Sequence, residues 1–151
     1  STNIRSATRI KQSDKRHFVD PSLAIALLGA GYEDLLNDLE TFGFMFEALC
    51  ERDLRIYAEN LGGKLYHYQD YKNREIDAIV QLEDGRWSAF EIKLGANAID
   101  SAASSLVEIR DALEAEGAKS PDVLAVICGL STFAYQREDG VYVVPITALR
   151  P

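Results

Sequence analysis

The stretch Arg74 to Leu94, REIDAIVQLEDGRWSAFEIKL, admits few folds. Two runs of alternating character flank Glu83-Asp84-Gly85, the pattern of a β-hairpin whose glycine is free to take a positive φ. Loop length sets the register. A two-residue Asp84-Gly85 turn would oppose Asp77 to Ile92 and mix charged with apolar residues on both faces. A three-residue loop, Glu83 to Gly85, pairs Leu82 with Arg86, Asp77 with Glu91 and Glu75 with Lys93. Ile76, Ala78, Val80, Leu82, Phe90, Ile92 and Leu94 then share one face. Glu75, Asp77, Glu91 and Lys93 share the other, with Ile79 and Ala89 nearer the turn. The second register gives a clean apolar face and is the one expected.

That register sets two carboxylates side by side. Directly opposed residues have Cβ atoms ~5 Å apart, and like charges there repel. The pair persists if one carboxyl is protonated, if a cation binds, or if both reach water. A divalent oxygen-seeking cation such as Mg²⁺ suits two carboxylates and a nearby backbone carbonyl. Lys93, two residues after Glu91, would lie beside it, placed to orient or deprotonate a water or to stabilise charge on a phosphate.

The charge balance limits the partners. The chain has 151 residues, 16 basic against 24 acidic, for a formal net charge of −8. Broad non-specific nucleic-acid binding rests on phosphate neutralisation and is disfavoured. A local basic site from Arg52, Arg55, Lys64, Lys72, Arg74 and Lys93 stays open, beside the plainer reading of a solvated mixed surface. With 47% hydrophobic residues the chain can build a core of one ordinary domain. Cys50 and Cys128 sit far apart in apolar surroundings and read as buried thiols. With no signal-peptide pattern and no long apolar run, the expected location is the cytoplasm. The chain begins Ser-Thr-Asn, which reads as a processed chain or a piece of something longer.

Residues 1–16 are polar and basic, an arm or linker, and residues 17–151 are expected to form a single α/β domain. Asp20-Pro21 starts a short helix, Ser22 to Leu28, and a second short piece covers Glu33 to Leu39. Thr41 is a candidate cap for a longer helix, Phe42 to Asn60, whose apolar positions recur at three and four and which ends at Gly62-Gly63. Glu47 lies at the margin of that apolar stripe, either reaching solvent or an arginine such as Arg74, or pointing at the acidic face of the hairpin. Lys64 to Gln69 reads as a strand with Tyr66 and Tyr68 on one side and Leu65 and His67 on the other. After the hairpin, Asn97 is a candidate cap for a helix from Ala98 to Glu116, ended by Gly117. Val123 to Ile127 reads as a strand buried on both faces. Ala134 to Gln136 and Val141 to Val144 form a last hairpin around Glu138-Asp139-Gly140, with Pro145 ending the pairing.

A helix with an inward Glu47, then three strands with Asp77 on the second and Glu91-Ile92-Lys93 on the third, then helix and strand, resembles the PD-(D/E)XK nuclease superfamily. Ile76 stands where the literal motif has proline. The implied fold is a restriction-endonuclease-like core: a central mixed β-sheet flanked by helices, in α-β-β-β-α-β order with an extra C-terminal strand. More narrowly, HFVDPSLAIALL, FGFMFEALCERDLRIYA, REIDAIV, FEIKLG and DGVYVVP are similar to the domain of unknown function 4143, over nearly all of residues 16 to 150. That family usually lies C-terminal to an AAA-type ATPase. This chain has no G-x-x-x-x-G-K-[ST] loop, so it is not expected to hydrolyse ATP itself.

The resemblance implies that Asp77, Glu91 and the Ile92 carbonyl hold Mg²⁺ or Mn²⁺, that Lys93 positions or activates the attacking water, and that Glu47 binds metal or water from the helix. Glu75 matches no essential position and is expected to pair with Lys93 across the hairpin. The implied activity is metal-dependent hydrolysis of phosphodiesters, with the ATPase half and a locally bound nucleic acid as partners, and no membrane. The competing class is a non-catalytic regulatory or interaction module of that ATPase. His67 and His17 read as ordinary polar residues, with His67 able to approach the site. Trp87, Tyr66, Tyr68 and Tyr71 read first as packing residues and second as stacking partners for bases.

Overall fold

The computed structural model describes residues 39–129 and 133–145, with side chains from residue 43 onward. The expected N-terminal arm, the helix at residues 22–28 and nearly all of the piece at residues 33–39 lie outside them. Helix α1 (Leu39–Asn60) leads into strands β1 (Lys64–Gln69), β2 (Glu75–Gln81) and β3 (Trp87–Lys93). A 3₁₀ turn (Ala96–Ala98) precedes helix α2 (Ile99–Ala115), and strands β4 (Val123–Cys128), β5 (Tyr135–Gln136) and β6 (Tyr142–Pro145) follow. The six strands form one mixed sheet in the order β1-β2-β3-β4-β6-β5. β1, β2 and β3 pair antiparallel, β3-β4 and β4-β6 parallel, and β5-β6 antiparallel. This is the expected α/β class, with helix, three strands, helix and strand in the expected order; two strands, β5 and β6, follow where the resemblance implied one.

The hairpin register follows the three-residue loop. Leu82 N–H donates to the Arg86 carbonyl at 2.8 Å and Gly85 N–H to the Leu82 carbonyl at 3.0 Å. Gly85 takes φ +89°, which only glycine adopts without strain. The paired rungs run from Gln81↔Trp87 to Ala78↔Phe90, the register in which Asp77 opposes Glu91.

The helices cover opposite faces of the sheet. Phe46, Cys50 and Leu54 of α1 pack on Ala78, Ile92 and Ile127, with Leu65, Phe90 and Leu94 at the edge. Ile99, Ala102, Ala103, Leu106, Ile109 and Leu113 of α2 pack on the other face, where Tyr66, Tyr68, Ile79, Trp87 and Ala89 are buried. β4 feeds both layers, which is why its apolar run is unbroken. Trp87 is buried, its indole N–H bound to the Lys119 carbonyl at 2.7 Å, so it is a packing residue.

Several local expectations change. Thr41 lies inside α1, because the helix already runs from Leu39. Asn97 does not cap α2: it sits in the 3₁₀ turn, and the N-cap position is Ala98, with no side-chain hydrogen bond. Pro145 belongs to β6 and pairs with Cys128. Ile76, expected on the face of Ala78, packs instead in the α2-side layer. The cause is a register shift between β1 and β2: Tyr66 opposes Ile79, but Tyr68 opposes Ile76. Asp77 and Ala78 therefore stand together opposite one residue, a β-bulge that turns the end of β2 over.

The turn between β1 and β2 is organised by a buried carboxylate. Asp70 accepts hydrogen bonds from the backbone N–H groups of Lys72 (2.9 Å) and Arg74 (3.0 Å), from Arg74 Nε (2.7 Å) and from the Tyr68 hydroxyl (3.4 Å). Burial alone would raise its pKa, but the bonds from Arg74 and Lys72 outweigh burial and hold it below the ordinary carboxylate range. Asp70→Ala leaves those donors unsatisfied and is expected to lower stability by about 2–3 kcal/mol in urea unfolding at pH 7. Because the folded pKa is depressed, the contribution is present above the unfolded carboxylate value and is lost as pH falls through the folded one. The gap between wild type and Asp70→Ala should therefore narrow in acid.

Candidate functional site

The paired ladder of β2 and β3 stops at Ala78↔Phe90, and both strands continue past it. In a regular ladder the next N–H directed at β2, that of Ile92, would seek the Ile76 carbonyl. It donates instead to Asp77 Oδ2 at 2.8 Å. The strands fork there, and a side-chain carboxylate occupies the place of a backbone acceptor. The N–H and C=O of one strand residue point the same way, so the Ile92 carbonyl also faces the fork.

Glu91 stands beside Asp77 in this fork and is only 6% exposed. Its carboxyl is pushed up to about 9, first by burial, then by the charge of Asp77 and by a hydrogen bond that a protonated Glu91 makes to Asp77. Burial and the neighbouring charge of Asp77 thus favour the protonated form of Glu91. Lys93 Nζ lies 3.9 Å from Glu91 Oε2, with 39% of its side chain exposed. Asp77, Glu91, Lys93 and the Ile92 backbone are thus brought together.

Glu47 and Glu75 stand differently. The charge of Glu47 bears on both Cys50 and Glu91, which puts it on the flank of α1 that looks toward the pair. It has an interaction of its own, and among the described residues no group of three or more His, Cys, Asp or Glu side chains lies close enough to share a metal ion. Arg74, one expected partner of Glu47, is held by Asp70 at 2.7 Å and reaches Glu108 at 3.7 Å. Glu75 pairs across to Gln69 on β1 and is exposed. It does not meet Lys93, which lies 3.9 Å from Glu91 instead. The bulge explains this, because turning Ile76 to the α2 face sends Glu75 to the opposite side from Lys93.

His67 reads in the sequence as an ordinary polar residue able to approach the site. In the structure its Nδ1 lies 3.3 Å from the Asp77 backbone carbonyl. The only signal was its position on β1 opposite the acidic stretch, and alternation alone cannot reveal a bulge.

Residues 42–149 match the family described as Domain of unknown function (DUF4143). The chain belongs to that family. The matched region of this DUF4143 domain holds every element from β1 to β6, and with them the fork. HFVDPSLAIALL lies before it. No curated protein and no solved structure matches the chain. No helix among the described residues is long and apolar enough to cross a membrane.

The raised pKa of Glu91 makes stability fall with pH. Its contribution is fully present below the unfolded glutamate pKa and is lost as pH rises through about 9. Thermal melts in chelator from pH 5 to pH 9.5 should show wild type losing stability across that range. Glu91→Gln, which keeps the donor and cannot ionise, should flatten the loss and melt higher than wild type at the alkaline end.

Proposed function

We propose that the DUF4143 domain of this chain binds a divalent cation at the fork and hydrolyses phosphodiesters there. The observation that carries this reading is the buried Asp77–Glu91 pair at the end of the β2-β3 ladder, next to Lys93. The donor set fits a hard cation: two carboxylates, one of them holding a proton that a metal would displace, and the Ile92 carbonyl on the same side. Asp77 and Glu91 would hold Mg²⁺ or Mn²⁺, which when bound supplies a more acidic water and neutralises charge on a phosphoryl oxygen.

The chain's own residues do the rest. The Ile92 N–H fixes one oxygen of Asp77 and so sets the angle of its carboxylate. Lys93, half open to solvent, presents an ammonium to an incoming phosphate or to the water that attacks it. Glu47 adds negative potential from α1, which favours cation over anion in the fork. The net charge of −8 limits the substrate to one held locally, since the protein as a whole repels a polyanion. In this reading an ATPase portion of the same protein delivers or gates that substrate.

One feature favours the other reading, a regulatory module that docks on an ATPase. An apolar groove of about 540 Å³ lies between α1 and the turn end of β2 and β3, lined by Leu54, Tyr57, Leu61, Val80, Leu82 and Phe90 among others. Leu61 there is 67% exposed. The two readings part on metal binding.

Calorimetric titration of Mn²⁺ and Mg²⁺ is expected to give millimolar or tighter binding to wild type and none to Asp77→Asn. Short single- and double-stranded DNA and RNA should be cleaved by wild type with Mn²⁺, and Lys93→Ala should slow cleavage by about 10²–10⁴-fold with little change in Mn²⁺ affinity. A wild type that binds neither cation, with Asp77→Asn equally stable or more so, would refute the catalytic reading and leave the docking module.

A further inference from the structure

His67 is the single β1 residue opposite the two bulged residues Asp77 and Ala78. Its Nδ1 is 3.3 Å from the Asp77 backbone oxygen. A carbonyl only accepts hydrogen bonds, so Nδ1 carries the proton and donates. The ring therefore bridges β1 to the bulge at the point where two residues face one and a regular backbone rung is missing. On the far side of the same residue, Asp77 Oδ2 takes the Ile92 N–H at 2.8 Å. Asp77 is held at two points, by His67 at its backbone and by Ile92 at its carboxylate.

We infer that His67 is a positioning residue: its ring N–H clamps the Asp77 carbonyl, holds the β2 bulge, and so aims the Asp77 carboxylate into the fork beside Glu91. Without the bulge, β2 would continue in regular alternation and the ladder would offer the Ile76 carbonyl to Ile92, leaving the Asp77 carboxylate without its backbone donor. His67 lies on the same side of β1 as Leu65, which packs at the edge of the α1 layer, so the clamp reaches the bulge from the α1 side of the sheet. Its hydrogen bond is to the backbone of Asp77, and it acts through that backbone. The consequence for metal affinity rests on the proposed cation site, whereas the geometric role does not.

The experiment compares wild type, His67→Ala and His67→Asn by amide hydrogen exchange and by Mn²⁺ calorimetry. Asparagine can place a side-chain N–H near the position of Nδ1, and alanine cannot. The amide of Ile92 is the local reporter, and that of Ser88, in the regular part of the same ladder, is the control. In His67→Ala the exchange of Ile92 relative to Ser88 is expected to rise about tenfold, the scale of one lost hydrogen bond. Mn²⁺ affinity should fall about tenfold, as for other residues that orient a ligand from behind. His67→Asn should restore most of both.

Equal acceleration of Ile92 and Ser88 in His67→Ala would mean general loosening and would overturn the inference, as would a His67→Asn variant no better than alanine. A wild type that binds no Mn²⁺ would refute the cation reading alone, and the Ile92-to-Ser88 exchange ratio would still decide the role of His67.

Discussion

The hydrogen bond from the Ile92 N–H to the Asp77 carboxylate is the interaction on which the site depends. A β-ladder satisfies its backbone groups rung by rung, and a buried N–H left over is costly. Here the last rung is closed by a side chain. That exchange lets β2 and β3 separate while the Ile92 N–H stays satisfied, and it brings a carboxylate oxygen to the mouth of the fork. The bulge opposite His67 makes the exchange possible by shifting β2 one residue against β1.

The electrostatics follow from that geometry. Glu91 is buried beside a carboxylate that is already committed to a backbone donor, so the cheapest state of the pair without a cation is one in which Glu91 keeps its proton. The burial comes from a sheet packed on both faces, with α1 on one and α2 on the other. A single-sided sheet would let the fork fill with water and relax the pair. Lys93 sits on the open side, where a cationic group can meet both Glu91 and the solvent.

Much of the fold was legible because the relevant signals are local. The Glu83-Asp84-Gly85 loop and the alternation on either side determine the hairpin register without reference to anything else. The unbroken VLAVI run announces a strand covered on both faces. Asp77, Glu91 and Lys93 could be named from that register alone. The misplacements have local causes too. Thr41 and Asn97 are good capping residues that neighbouring backbone passed over, since α1 runs on in the N-terminal direction and α2 is entered through a 3₁₀ turn. Buried Asp70, which ties together Tyr68, Lys72 and Arg74, has no local signal that sets it apart, because a carboxylate's burial is a property of what surrounds it.

The sequence by itself determined the α/β order, the hairpin pairing and the presence of two opposed carboxylates with a lysine two residues on, because periodicity and turn chemistry act within a few residues. Tertiary structure decided which way the end of β2 faces. Pairing with β1 creates a bulge that the alternation within β2 does not announce, moves Ile76 to the α2 layer and separates Glu75 from Lys93. It also decided that Glu91 is buried and that the charge of Glu47 bears on it from α1. Burial and long-range charge depend on how the layers close over one another, and no short stretch of chain carries that information.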